Sequence, residues 1–102
     1  MKQPIRSSED IGLLIRAVRK SANLRQDDLS AVAGVSRQFA VDVERGKPTA
    51  QVGRVLLLLN ELGVPLTAEI SEEAAAMLEK LRSRRNPSAA EPHVDRIAKA
   101  KK

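Results

Sequence analysis

The 102-residue chain has no Cys, no Trp and no Tyr, and only one Phe and one His. Without cysteine there is no disulfide to staple a small fold, and no thiolate to ligate a metal or attack a substrate. The single imidazole, His93, follows Pro92 with no second ligand near it in sequence, so a solvated histidine is the expectation. This removes the thiolate and imidazole clusters from which metal sites and nucleophilic triads are built. With Asp27-Asp28 reading as first-turn helix acids, no catalytic residue, metal or cofactor is expected, and the chain is not expected to be an enzyme. Long apolar runs are missing as well. The longest aliphatic stretch, Val55–Leu59, has five residues, where a membrane span needs roughly 18 or more. Pro4, Arg6, Glu9 and Asp10 stand where a secretory leader would need an apolar core. The expectation is a soluble, cytoplasmic protein without a membrane partner.

Charge is plentiful and uneven. Lys and Arg number 18 against 13 Asp and Glu, a formal net charge of +5. Met1 to Leu78 carries ten basic and ten acidic residues, so the whole excess lies in residues 79–102, with eight basic against three acidic. A basic balance favours a polyanionic partner such as nucleic acid, but here only the placement of charges within a neutral domain can carry that reading.

Ile11, Leu14, Ile15 and Val18 recur at the spacing of one helical stripe. Ser7-x-x-Asp10 reads as a capping box, with Glu9 and Asp10 at the positive end of the helix dipole. A second short helix is predicted from Gln26 to Ala33, stopped by Gly34, and a third from Arg37 to Glu44, with Ser36 as its N-cap. Thr49 can cap a fourth through Val52, Val55, Leu56, Leu59 and Leu62. With Leu57 and Leu58 this helix is apolar nearly all round, and largely buried in expectation. Gly63 suits its C-terminal cap.

Val64, Leu66, Ala68 and Ile70 then alternate with Pro65, Thr67 and Glu69 in the one strand-like segment of the chain. A lone strand leaves its backbone groups unpaired, and its simplest partner is the same strand of a second copy, which predicts a homodimer. The alternative is an ordered loop lying on the fourth helix. Ser71-Glu72-Glu73 starts a further helix over 71–85, with Ala74, Met77, Leu78 and Leu81 on one face, open either to a partner or to its own dimer. Asn86-Pro87 ends it, and 86–102 reads as a disordered basic tail, a non-specific DNA arm or a partner-binding segment.

The segment from Gln26 to Lys47, QDDLSAVAGVSRQFAVDVERGK, resembles the helix-turn-helix of the Xre/Cro-type, lambda-repressor-like family. Ser30 is small enough for two helices to cross closely, and Gly34 supplies the turn conformation that a Cβ disfavours. Leu29, Ala33, Val35, Ala40 and Val43 then face the core, leaving Ser36, Arg37, Gln38, Val41 and Asp42 outward as base-reading candidates. Arg can pair bidentately with guanine and Gln with adenine. The resemblance implies that Gln26 contacts a phosphate, and Arg25, Arg45 and Lys47 flank the unit as further phosphate candidates. Two positions depart from the family pattern: Arg25 replaces a Thr that would cap better, and Ala40 replaces a larger aliphatic residue, with Phe39 beside it to supply volume.

Ile11-Gly12-x2-Ile15-Arg16-x2-Arg19-Lys20, the GVSRQF turn at 34–39, the VERGK exit at 43–47 and the strand-like stretch after Leu62-Gly63-Val64 together resemble HipB-type antitoxins. That resemblance implies an all-α domain of four to five helices, with one short C-terminal strand pairing across a homodimer. It further implies binding to an inverted-repeat operator in double-stranded DNA, autorepression, and a HipA-like Ser/Thr kinase toxin as partner. Residues 1–70 are then the DNA-binding and dimerisation domain. A stand-alone repressor, or a pure protein-interaction module, remains open to the sequence.

Overall fold

The computed structural model describes residues 1–85 and has five α-helices: α1 (Ser8–Ser21), α2 (Gln26–Ala33), α3 (Arg37–Glu44), α4 (Val52–Glu61) and α5 (Glu72–Arg85). The 86–102 tail lies outside the described residues. No described helix is long and apolar enough to cross a membrane.

The start of α1 follows from its sequence. Ser7 is extended and its Oγ accepts from the Asp10 N–H at 3.0 Å. The reciprocal bond is displaced by one residue, because the Asp10 carboxylate accepts from the Arg6 N–H at 2.9 Å and not from Ser7. α2 starts at Arg25 with no side-chain cap; Arg25 turns its guanidinium to Asp27 instead, at 3.2 and 3.3 Å. α2 ends at Gly34 in the left-handed region (φ 76°), where the Val35 N–H reaches the Ser30 carbonyl at 3.0 Å. The Ser36 Oγ caps α3 by accepting from the Phe39 N–H at 3.0 Å. Thr49 is not the cap of α4. A turn occupies 48–49, and the extended residue before the helix is Gln51.

α3 packs against both α1 and α2, and α4 packs on α2. The core of this unit, Met1–Leu66, is Ile15, Leu29, Ala40, Val43, Val55, Leu58 and Leu59. Ile11, Leu14, Ala33, Val35, Phe39, Leu62 and Val64 close over it in part. α1 and α3 approach so closely at Gly12 that a Cβ there would stand 2.5 Å from the Val43 carbonyl oxygen.

One charged pair is buried in this unit. Glu44 takes the Arg19 guanidinium in a two-pronged bond, Nε–Oε2 2.7 Å and Nη2–Oε1 3.0 Å, with side chains 4% and 11% exposed respectively. The third guanidinium nitrogen, Nη1, donates to the Leu24 carbonyl at 2.8 Å. The hydrogen bond to Glu44 raises the Arg19 pKa above its ordinary value, against the opposing pull of burial.

Besides the Thr49 cap, one further sequence expectation is corrected, and another is not seen in the single chain. α4 is not buried all round: Val55, Leu58 and Leu59 are, but Leu56 and Leu57 are about half exposed and Val52 more so, because only one face of the helix meets the rest of the unit. Residues 64–70 form no strand, and none occurs among the described residues. Val64 folds back onto the core, its N–H bonded to the Leu59 carbonyl at 2.9 Å, and Pro65 has no N–H to offer. A ladder needs a neighbouring strand, and the chain by itself has none.

The second unit begins at Thr67 and contains α5. Ser71 caps this helix, accepting from the Ala74 N–H at 3.1 Å.

Two stability predictions follow from the core. Gly12→Ala is expected to lower the unfolding free energy by about 1–3 kcal/mol, since backbone must move to admit the methyl. Gly53→Ala on α4, where a Cβ meets nothing within 4 Å, is expected to be neutral or stabilising by up to about 1 kcal/mol. Glu44→Ala strands the Arg19 charge in the interior and should cost roughly 3 kcal/mol or more, whereas Asp42→Ala, removing the more exposed pair with Lys47, should cost about 1 kcal/mol or less. Urea denaturation followed by circular dichroism checks both contrasts, and equal effects within either pair would contradict the packing described.

Candidate nucleic-acid interface

The Ser36-to-Lys47 segment places the candidate base readers at the start of α3 and along its outer side. Ser36 is exposed, and because its Oγ already accepts from the Phe39 N–H, its own O–H remains to donate. Arg37, the first residue of α3, is exposed and has no acidic partner within 4 Å among the described residues. Gln38 is exposed and tethered: its Nε2 donates to Asp42 Oδ1, one turn further on, at 2.9 Å. A Gln amide nitrogen carries two protons. The second proton and the Oε1 stay available, so the bond to Asp42 sets the orientation of the amide without consuming it.

Asp42 is half-buried and organises its neighbours more than it points outward. Besides accepting from Gln38, it meets Lys47 Nζ at 3.6 Å, and its backbone carbonyl accepts from the Lys47 N–H at 3.0 Å. This holds the exit of α3 against the helix. Val41 is likewise half-buried. The exit turns at Gly46 (φ 85°), whose carbonyl accepts from Ser8 Oγ at 2.9 Å and whose Cα lies so near Glu9 that a Cβ would clash with it.

The phosphate candidates lie at the two ends of the unit. Arg45, at the C-cap of α3, and Lys47 just beyond it are exposed. At the start of α2, Arg25 is exposed and paired with Asp27. That pairing raises the Arg25 pKa and, chiefly through the same hydrogen bond, lowers that of Asp27. The linkage sign is the usual carboxylate one: the pair's contribution is present at neutral pH and fades as pH falls through the depressed Asp27 value. Gln26 is half-buried, and its Nε2 donates to Glu44 Oε1 at 3.0 Å.

This last bond joins the interface to the buried ion pair, and sequence reasoning did not assign it. Arg19 and Glu44 were legible only as members of the α1 and exit motifs. The usable signal was position: Glu44 follows Ala40 and Val43 at i+4 and i+1, on the face of α3 that is buried, and a carboxylate there requires a cation.

A helix-turn-helix family model matches residues 15–68. The chain is 57% identical over 63 residues to an uncharacterised HTH-type transcriptional regulator, y4mF, of Sinorhizobium fredii, covering 62% of this chain and 83% of that one. It is 30% identical over 63 residues to the immunity repressor protein of Bacillus phage phi105, of which it spans 44%. Among solved structures it is similar to HipB in a complex with an O2 20-mer, with a TM-score of 0.64 over 71% of this chain and all of that one, at 17% identity, a likeness of fold. With more than half of its length matched by the family model, and with a relative of this identity, the chain belongs to the Xre/lambda-repressor-like helix-turn-helix family.

Proposed function

We propose that this protein is a sequence-specific, DNA-binding transcriptional repressor that acts as a homodimer on an inverted-repeat operator, with no enzymatic activity of its own. The observation that carries the reading is the pairing pattern on α3: Arg37 exposed without an acidic partner beside a Gln38 whose amide is pre-oriented by Asp42. Arg bidentate to guanine and Gln bidentate to adenine are the side chains suited to major-groove readout. Arg45 and Lys47, with Arg25 and Gln26, flank the reading residues as phosphate contacts that set register.

What one chain leaves uncovered supports the dimer. Leu56 and Leu57 of α4, with Leu59, Asn60, Val64, Pro65 and Leu66, line an open groove, and Leu56, Leu57 and Leu66 are each about half exposed. A second copy brings both an apolar face for this groove and a strand for Val64, Leu66, Ala68 and Ile70 to pair with. Two recognition helices so related meet half-sites about 34–36 Å apart, or a multiple of this. The HipB-like motifs further support an antitoxin that represses its own operon and binds a HipA-like Ser/Thr kinase. Co-purification of such a kinase with the untagged chain from its native host tests this, and its absence would leave a stand-alone repressor.

Selected on random duplex and then titrated, the wild-type chain should prefer its operator. Arg37→Ala should reduce that preference about tenfold or more, the scale of one bidentate base contact, while leaving affinity for random duplex nearly unchanged. Lys47→Ala should weaken both alike and lower the salt slope by about one. An unchanged specificity ratio in Arg37→Ala would refute the readout. For the contact across the α4 groove, Leu57→Asp with Leu66→Asp should keep its helical signal and lose operator binding; a variant that keeps full operator affinity would place that contact elsewhere.

A further inference from the structure

No residue of α5 is buried among the described residues. The helix is 14 residues long, roughly 21 Å, and isolated helices of that length are marginal in water unless an amphipathic face is covered. Ala74, Met77, Leu78 and Leu81 fall at i, i+3, i+4 and i+7 on one side, with Met77 and Leu81 about half exposed. The ends are charged oppositely. Glu72 and Glu73 occupy the first turn, and Arg82, Arg84 and Arg85 the last.

We propose that α5 is a self-association surface, on which a second copy of this chain lays its own α5 in the antiparallel direction. Charge selects the occupant and its direction. On a helical wheel Glu73 and Arg84 lie on the same flank of the stripe, so an antiparallel pair sets Glu73 of each helix beside Arg84 of the other, and two-fold symmetry makes that contact twice. A parallel pair would set Arg82, Arg84 and Arg85 against themselves. The helix dipoles favour the same choice. The apolar stripe fits it too: its midpoint falls between Met77 and Leu78, so these meet their own counterparts, while the small Ala74 faces the large Leu81. A DNA duplex is a poorer occupant, because Glu72, Glu73 and Glu79 would repel it and the stripe would stay wet. The inference stands on α5 alone and holds whether or not residues 64–70 pair.

Because the full chain has no cysteine, single Cys variants report helix pairing without background. Under mild oxidation Leu78→Cys should form a disulfide-linked dimer. Ala74→Cys and Leu81→Cys should each stay unlinked alone, yet link to one another when mixed. Glu72→Lys with Glu73→Lys should slow the Leu78→Cys reaction by about fivefold or more, the scale of a few exposed ion pairs, and adding Arg82→Glu with Arg84→Glu in the same chain should restore it. Self-linking of Ala74→Cys and Leu81→Cys as fast as that of Leu78→Cys would show parallel pairing and overturn the proposal. So would absence of any link at unchanged helical content, including the case in which Arg82→Glu with Arg84→Glu instead weakens duplex binding. In the Leu57→Asp, Leu66→Asp background the link should persist; its loss there would trace it to pairing through 64–70 and remove α5 as a surface of its own.

Discussion

A single carboxylate, Glu44, holds the helix-turn-helix together. It accepts two bonds from Arg19 of α1 and one from Gln26 at the start of α2, while itself ending α3. Burying a carboxylate and a guanidinium costs several kcal/mol per ion, and the cost is offset only when geometry and hydrogen bonding are good. Here both oxygens are used, and the remaining guanidinium nitrogen fastens the loop before α2 through the Leu24 carbonyl. A hydrophobic trio at these positions could have supplied comparable stability. It could not have set the angle between α2 and α3 or held Gln26 at the start of α2, since apolar packing carries little directional information.

The outer face is organised by the opposite rule. Inside, charge is fully paired; on the outside, pairing is partial and selective. Asp42 restrains Gln38 and Lys47, leaving Arg37 and Arg45 without an acidic partner among the described residues. Since Met1 to Leu78 is neutral in sum, the share of any affinity for a polyanion that this part of the chain supplies cannot come from its net charge. It has to come from a few cations held at chosen places, and the rigid inner pair is what makes such placement possible. Gly12 and Gly46 serve the same end, because each lets backbone approach at a distance that a methyl would forbid.

The legible parts of this structure are those written in local chemistry. The boundaries of α1, α2 and α3 follow from Ser7, Gly34 and Ser36, whose side chains or φ values act within a few residues. The exposure of Ser36, Arg37 and Gln38 follows from periodicity, whereas Val41 and Asp42, expected on the same outer face, are half-buried. What could not be read required non-local geometry. Thr49 is a plausible cap, but Pro48 and the turn at 48–49 delay α4 until after Gln51. The apolar circumference of α4 suggested full burial, yet periodicity cannot say whether the second cover belongs to the same chain. The alternation over Val64–Ile70 has the same ambiguity, since it describes a propensity to pair and is silent on the partner. The Arg19–Glu44–Gln26 cluster joins residues 18 to 25 positions apart, beyond the reach of any helical-spacing argument.

Two features left open by one chain, the α4 groove and the bare stripe of α5, bear on how a neutral domain would discriminate among DNA sites. A monomer that relies on one Arg and one Gln for readout gains little selectivity, since each good pair is worth about 1–3 kcal/mol. Joining two copies doubles the base contacts and makes the second half-site binding intramolecular, at an effective concentration set by the linkage and not by the bulk. On the proposed reading, self-association would be part of sequence recognition, and the fraction of dimer would sense the protein's own concentration. With seven apolar residues buried in the first unit, the core is small, and Leu56, Leu57 and Leu66 leave an apolar surface about half exposed. That surface would suit the proposed dimer, whose readout depends on a second copy, better than a solitary monomer.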